Sequence, residues 1–469
     1  MATQIQEIMD FKSRTPEEII KALQKKDVDI PQWATLKQEY YPKLHPVMTE
    51  STYADYQDED GNTVKLCRIT YDWMRLAAQR MSDLCVAIPV KRVYHVTPGN
   101  AKQKEAAVYL ENIFKANRID AVNIDRCNKL FASCETFTLW YLVPEPNGKK
   151  NNKYGFPCSV KFKCRVFSPM TGAELYPLYD EYGDLIAHSV YYTRTKNNTE
   201  VKYMDCYTAS QHFKFSTDNV DKKWALESTP EEYNIGKIPG VYVCRETPIW
   251  EDKGNTVYEA EWTISRNGNY LRKNSKPIIT VADDKPVKFG KEKEDNKARS
   301  VFKLSASGKM SYVTWEQQVE NLKFQQQELK SGFFSDLQIP DWSLDNLKGV
   351  AISAESRKYQ FVDAQLKMKQ ESGRLIEAAD REINVVKALL ISQLGEDYRE
   401  DIESLVVDNI FTPFSISDDK DTISNLVDAT GGKAIMSQRE AIGEFGHSND
   451  IDRTLQEIAD ENKTDVLAQ

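Results

Sequence analysis

The side chains in this sequence with the most chemical potential are five histidines, two acid clusters and two glycine-lysine turns. His45, His95, His188, His212 and His447 fall in different stretches of chain, and no two have the spacing of metal ligands or of a nucleophile and its base. They read as structural or surface histidines. Asp418-Asp419-Lys420-Asp421 offers three carboxylates that could hold magnesium for phosphodiester cleavage, as paired carboxylates do in two-metal sites. The run also opens a helical pattern, where acids are favoured by the N-terminal dipole, and that simpler account is preferred. Ser307-Gly308-Lys309-Met310 and Gly431-Gly432-Lys433-Ala434 superficially resemble a phosphate loop. Both lack the Ser or Thr after lysine that would bind magnesium, and both lack the earlier glycine, so they read as turns. Asp58-Glu59-Asp60-Gly61-Asn62 is a turn between short strands, because a calcium loop would need a glutamate at its twelfth position. The eight cysteines form no Cys-x-x-Cys pair and are expected to be reduced and mostly buried. No cofactor or metal is expected, and the chain does not read as an enzyme.

Composition bounds the alternatives. At 469 residues and 41% hydrophobic the chain can bury a sizeable core in two or three domains. The start of the chain lacks the basic and apolar blocks of a signal peptide, and no run is long and apolar enough to span a membrane. A soluble protein made in a cytoplasm, with no membrane partner, is the expectation. The net charge of −9 argues against a free, non-specific nucleic-acid binder. From Glu396 to Gln469 there are 18 acidic and 6 basic residues, so the acidity is concentrated at one end and the remainder is slightly basic.

The elements that would carry these residues follow from periodicity. Thr15-Pro16-Glu17-Glu18 starts a helix with an N-cap, a proline at the first position and early acids. Helical spacing of apolar residues marks Thr70 to Val86, Ala101 to Ala116 and a helix from Ile124 that leads into a strand at Thr136 to Val143. Between Lys161 and Leu226 the period becomes two, with strands at Lys161 to Phe167, Ile186 to Thr193, Lys202 to Thr208 and His212 to Phe215, so an antiparallel sheet packed on helices is expected. A helix at Thr256 to Lys273 carries a stripe of Val257, Ala260, Ile264, Gly268 and Leu271. A second, starting near Trp315, spaces Val319, Leu322, Gln326, Leu329 and Phe333 as a seam for neighbouring helices. A long helix from Glu355 to Leu394 places Val362, Leu366, Gly373, Ile376, Ile383, Val386 and Leu390 on one face, and Gly373 marks a bend. A strand at Leu405 to Phe411 and an acidic helical tail follow, in which Ser437 caps a helix with Glu440 three residues later.

This order of elements resembles the portal proteins of long-tailed bacteriophages over roughly four-fifths of the chain. Phe167-Ser168-Pro169, then Tyr176-Pro177-Leu178-Tyr179-Asp180 and Leu185 to Tyr192, is similar to the family's body-domain sheet. The run from Tyr312 through Leu329 and Phe333 to Ile339-Pro340-Asp341, followed by Leu347-Lys348-Gly349-Val350-Ala351-Ile352, is similar to the segment that leads into the family's long kinked helix. Ile352-Ser353-Ala354-Glu355-Ser356 departs from that pattern and leaves the start of the helix open. Gly431 to Ala441, with Asp450, Leu455, Ile458 and Glu461, is similar to the family's acidic C-terminus.

The resemblance implies an α+β portal fold. Its parts would be a wing of helices and antiparallel sheet at 1–255, a two-helix stem at 256–273 and 315–335, and a small α/β clip at 274–314. A tunnel loop would follow at 336–356, then the long kinked helix and a strand at 357–415, and a helical crown at 416–469. It implies a ring of about twelve copies at one capsid vertex. Double-stranded DNA would pass through the ring during packaging and ejection, and the partners would be the terminase motor, the major capsid protein with its scaffold, and a neck adaptor. By position in the family, Lys348, Ser353, Arg357 and Lys358 would face the tunnel. Lys285, Lys288, Lys291, Lys293, Lys297 and Arg299 would serve docking at the clip. A different head-to-tail connector, or a carboxylate- and metal-dependent DNA-processing enzyme, is the alternative. The first is normally shorter and lacks the stem, loop and long-helix order, and the second would have to rest on the 418–421 acids.

Overall fold

The computed structural model describes residues 4–26, 28–57, 61–196, 198–217, 223–233, 235–274, 278–282, 288–291, 300–303, 309–313, 319–339, 362–413, 419–431, 434–446 and 451–467. They form an α+β body with two packed antiparallel sheets. A meander of five strands runs in sequence order through Ala173–Tyr179, Leu185–Lys196, Thr199–Thr208, Gln211–Thr217 and Trp224–Leu226. Its first turn is built by Asp180, whose carboxylate accepts from the backbone N–H of Tyr182 and Asp184, with Gly183 in the left-handed region beside it. The second sheet has Glu135–Pro144 at its centre, flanked by Val160–Phe167 and Gly240–Cys244. Phe137, Leu175, Val190 and Tyr242 fill the space between the sheets. Gly240 lies against the Phe137 ring and the Thr138 carbonyl, where any side chain would collide.

Helices close the outer faces. Pro16–Leu23 starts with the capping box expected from Thr15 and Glu18, and it buries Ile19, Ile20 and Leu23 against the meander. Trp73–Val86 and Ile119–Ser133 pack on one another with Trp33–Tyr40, while Ala101–Ala116 covers the face of the Glu135–Pro144 sheet turned away from the meander, where Phe114 meets Trp140 edge to face. All eight cysteines are free, six of them buried.

The long helix, Val362–Leu394, joins the two largest hydrophobic clusters: Ala364 and Met368 lie in one, and Ile383, Val386 and Leu390 in the other. Two buried carboxylates fix it to the body. Glu382 accepts a bidentate pair from Arg126, both distances 2.9 Å, and a bond from Trp140 Nε1 at 2.8 Å. Glu371 accepts from Arg245 at 2.9 Å. The apolar face expected on this helix holds in its second half. In its first half Val362 and Leu366 are exposed, and the buried positions are Ala364, Met368 and Glu371. The pattern misleads because a glutamate counts as solvent-facing until its buried arginine is known.

Several edges differ from expectation. The helix expected at Thr70 begins at Trp73, the one expected at Ile124 begins at Ile119, and the meander strands extend farther. Among the strands that escape the periodicity are Lys91–His95, Ala173–Tyr179 and Gly240–Cys244. Lys91–His95 pairs with Val406–Ile410, more than 300 residues on, where His95 and Asp408 meet at 2.7 Å.

Two consequences are measurable. Truncating one member of a buried ion pair strands the other, so Glu382→Ala is expected to lower stability by about 3–5 kcal/mol in denaturant melts, and Glu382→Gln by clearly less. His188 is fully buried, stacked 3.7 Å from the Phe137 ring, with no partner on either nitrogen. Burial, aided by the Lys26 charge, pushes its pKa well below the usual imidazole range. Below about pH 6.5 the unfolded chain gains a proton that the native state refuses, so this contribution to stability is full above that pH. It falls as the pH drops, by up to about 1.4 kcal/mol per pH unit. His188→Phe is expected to flatten the decline of stability below about pH 6.5.

Candidate functional site

The segment from 254 to 339 has the form of a long excursion from the body. The chain leaves along the helix Gly254–Asn274 and returns along Val319–Asp336. Between them two antiparallel ladders are nested: Ile278–Ala282 pairs with Lys309–Val313, and Lys288–Lys291 pairs with Ser300–Lys303. Lys309 of the glycine-lysine turn opens a strand. The outgoing and returning helices pack together, and Gln326 Nε2 donates to the Ala260 carbonyl at 3.0 Å.

The outgoing helix carries an unexpected polar face. Glu261, Ser265 and Asn269, each four residues from the next, lie on one side and bind the backbone of the extended segment 67–71, which belongs to no sheet. Tyr71 N donates to Glu261 at 2.7 Å, Ile69 N to Ser265 Oγ at 2.8 Å, and Cys67 N to Asn269 Oδ1 at 2.5 Å. These bonds supply what a neighbouring strand would otherwise give a buried backbone. Glu261 is fully buried and also meets His45 Nδ1 at 2.7 Å, while His45 Nε2 donates to the Glu39 carbonyl at 2.8 Å. The base of the excursion is thereby tied to the N-terminal arm. Of the small-residue stripe read from sequence, Val257 and Ala260 are buried, Gly268 borders Cys67, and Leu271 is exposed. The seam on the returning helix holds at Phe333, which is buried, and at Leu329, packed against the same cluster; Val319 is exposed.

The residues expected at the tunnel, Lys348, Ser353, Arg357 and Lys358, lie outside the described residues, as do Lys285, Lys293, Lys297 and Arg299 of the expected docking set. Lys288 and Lys291 are the two ends of one strand, in register with Lys303 and Ser300. The helix runs through Gly373 without interruption, and a methyl group there would meet nothing, so packing does not demand glycine at that position. In the acidic tail, Asp419–Thr430, Gln438–Phe445 and Ile451–Leu467 pack in sequence, and Ser437 forms the expected capping box with Glu440. Asp419 begins a helix, and Asp418 lies outside the described residues. Among the described residues no group of three or more His, Cys, Asp or Glu could hold a metal ion, and no helix is long and apolar enough to cross a membrane. A mixed cleft of about 970 Å³ lies between the 28–31 segment, the Gly240–Cys244 strand and the long helix, lined by Tyr179, Arg374 and Arg381.

An ideal methyl group on Gly268 would sit 2.5 Å from Cys67 Sγ. Gly268→Ala is therefore expected to lower the melting stability by about 1–3 kcal/mol, and Cys67→Ala in the same chain to recover part of the loss. Strict additivity in that double-mutant cycle would remove the contact as the cause.

Comparison with known proteins adds three findings. The family model described as phage portal protein, SPP1 Gp6-like, matches residues 21–466. No curated protein matches. Among solved structures, a chain of the virion of a native gene transfer agent particle is 8% identical, with 91% of this chain and 98% of that chain covered at a TM-score of 0.38.

Proposed function

Since the chain belongs to the phage portal protein family, whose model spans residues 21–466, we propose that it is one subunit of a portal ring at a single capsid vertex, through which the genome is packaged and ejected. The family match is the observation that carries this reading. The protein is a structural component of the virion and not an enzyme, made in the host cytoplasm and assembled as a closed ring of about twelve copies.

The architecture suits the parts this reading requires. The helices Gly254–Asn274 and Val319–Asp336 are the stem, and the nested ladders between them are the core of the clip. Lys285, Lys288, Lys291, Lys293, Lys297 and Arg299 dock the terminase motor during filling and the neck adaptor afterwards. The segment with Lys348, Ser353, Arg357 and Lys358 is the tunnel loop, and the three C-terminal helices are the crown. Gly373 allows the long helix to bend as the wing meets the capsid protein and its scaffold.

A conduit must let duplex DNA slide. Each firm lysine or arginine contact with phosphate deepens a binding well, so a wall with few such contacts and an acidic exit favours passage over grip. The partition of charge fits that demand, with 18 acids against 6 bases after Glu396 and a slight basic excess before it.

Class-averaged electron microscopy of the purified protein is expected to show rings with a central channel wide enough for duplex DNA. A compact dimer with a closed cleft would sink this reading and reopen the enzymatic alternative. So would magnesium-dependent cleavage of plasmid DNA that is lost when Asp418, Asp419 and Asp421 become alanine.

A further inference from the structure

A closed ring of identical chains needs a heterologous interface, in which one face of each subunit meets a different face of the next. One lobe of this body offers two such faces of opposite charge. The strands Glu135–Pro144 and Val160–Phe167 bury Trp140 and Phe162 on one side, and on the other side Tyr141 and Val143 are 38% and 37% exposed. In register with them stand Lys163 and Lys161, and Arg165 follows on the same face. Same-face residues on a strand are about 6.7 Å apart, so the three cations form a short straight row. Lys161 is paired with Glu145 at 2.9 Å, and Arg165 lies 4.5 Å from the centre of the Phe167 ring.

The opposite side of the same hydrophobic cluster is covered by Ala101–Ala116 and the segment 396–405, which contribute Leu110, Phe114, Ile402 and Leu405. Asn100 Nδ2 binds Asp401 at 2.7 Å and Gln103 Nε2 binds Ser404 at 2.9 Å, so the two are held as one unit. Residues 396–403 carry five acids and one arginine, and that arginine, Arg399, is taken up by Glu396 and Glu403. Asp397 and Glu400 remain exposed; on the neighbouring helix Glu105 accepts from Tyr398, and Lys102 binds the Asp397 carbonyl at 2.7 Å and lies 3.8 Å from Asp401.

We propose that the Tyr141, Lys163 and Arg165 sheet face of one copy docks on the Asp397 and Glu400 helical face of the next copy, forming a wing-level subunit contact. This inference rests on the ring reading and names its partner, a second copy of this chain. Exposed apolar side chains alternating with cations suit a protein surface better than nucleic acid, whose partners are more polar and far more positively charged. Charge complementarity of this kind sets orientation and speeds encounter, so its reversal hampers assembly.

The test compares the wild type with K163E/R165E, with D397K/E400K and with all four changes in one chain, by sedimentation velocity at about 0.15 M salt. Each two-residue reversal is expected to raise the concentration needed for ring assembly by about tenfold or more, and the fourfold variant to assemble again, since its faces are once more opposite in sign. Rings of unchanged stability in both two-residue variants overturn the proposal. Failure of the fourfold variant to reassemble, with thermal melts matching the wild type, overturns it equally. If a reversal lowers the melt, the neutral pairs K163Q/R165Q and D397N/E400Q replace it. Each is then expected to weaken assembly and to blunt its dependence on salt, and unchanged assembly in both overturns the proposal. Retention of linear DNA that K163E/R165E abolishes while rings stay intact would assign the face to nucleic acid instead. A wild-type chain that never forms rings would count against the ring reading itself.

Discussion

The buried carboxylates of the long helix are the constraint from which much of the body's arrangement follows. Glu371 and Glu382 stand eleven positions apart, about three helical turns, so they share one face. Each is held by an arginine from a different part of the body: Arg245 follows the Gly240–Cys244 strand, and Arg126 lies in Ile119–Ser133. A hydrophobic stripe alone would let a helix of 33 residues slide or rotate by a turn at modest cost, because one leucine contact replaces another. A charge paired in a dry interior has no second position that satisfies it. The two pairs therefore fix register along the axis and rotation about it, and the hydrophobic clusters at either end of the helix supply the driving force.

The outgoing helix, Gly254–Asn274, uses polar groups in a related way. Glu261, Ser265 and Asn269 act as a substitute strand for residues 67–71, which reach the helix without a sheet to join. Gly268 supplies the close approach on the Cys67 side. Because Glu261 also holds His45, the base of the outgoing helix depends on the N-terminal arm, the 67–71 segment and the helix itself at one buried carboxylate. Loss of any member leaves a buried polar group unpaired, which couples regions far apart in sequence.

The sequence is legible where one physical rule dominates a segment. Ala101–Ala116 follows from its apolar spacing to the residue, and Thr15, Ser437 and the Asp180 turn follow from capping and turn chemistry. It is illegible where a partner decides. Val362 and Leu366 look like core and are exposed, because the stripe that turns inward contains Glu371, whose burial is made tolerable by the distant Arg245 at 2.9 Å, with Lys367 and Arg374 farther off. Lys91–His95 has no periodicity of its own, and its strand character comes from Val406–Ile410 at the far end of the chain. The polar face of the outgoing helix is hidden for the same reason, since a reading based on apolar positions sees the small residues between Glu261 and Asn269 and misses the bonds those two make. The elements proposed for tunnel and docking roles were found by family position, since an exposed lysine in a loop has no local signature separating contact with DNA from contact with water.

Charge follows a rule different from that of packing in this chain. Inside the body, Arg126 with Glu382 and Arg245 with Glu371 form short ion pairs, and they specify position. At the surface Lys163 and Arg165 lie exposed on the sheet side of one lobe, Asp397 and Glu400 lie exposed on its helical side, and from Glu396 onward 18 acids face 6 bases in the sequence. A subunit with mixed surface charge everywhere could meet its copies in many orientations of similar energy. Under the proposed contact, segregation would favour the orientation in which opposite faces meet, and repeating it would carry each chain round to the next. The same economy would suit the proposed conduit for a polyanion: attraction between subunits would hold a ring closed, and the acidity near the C-terminus would repel the DNA passing it.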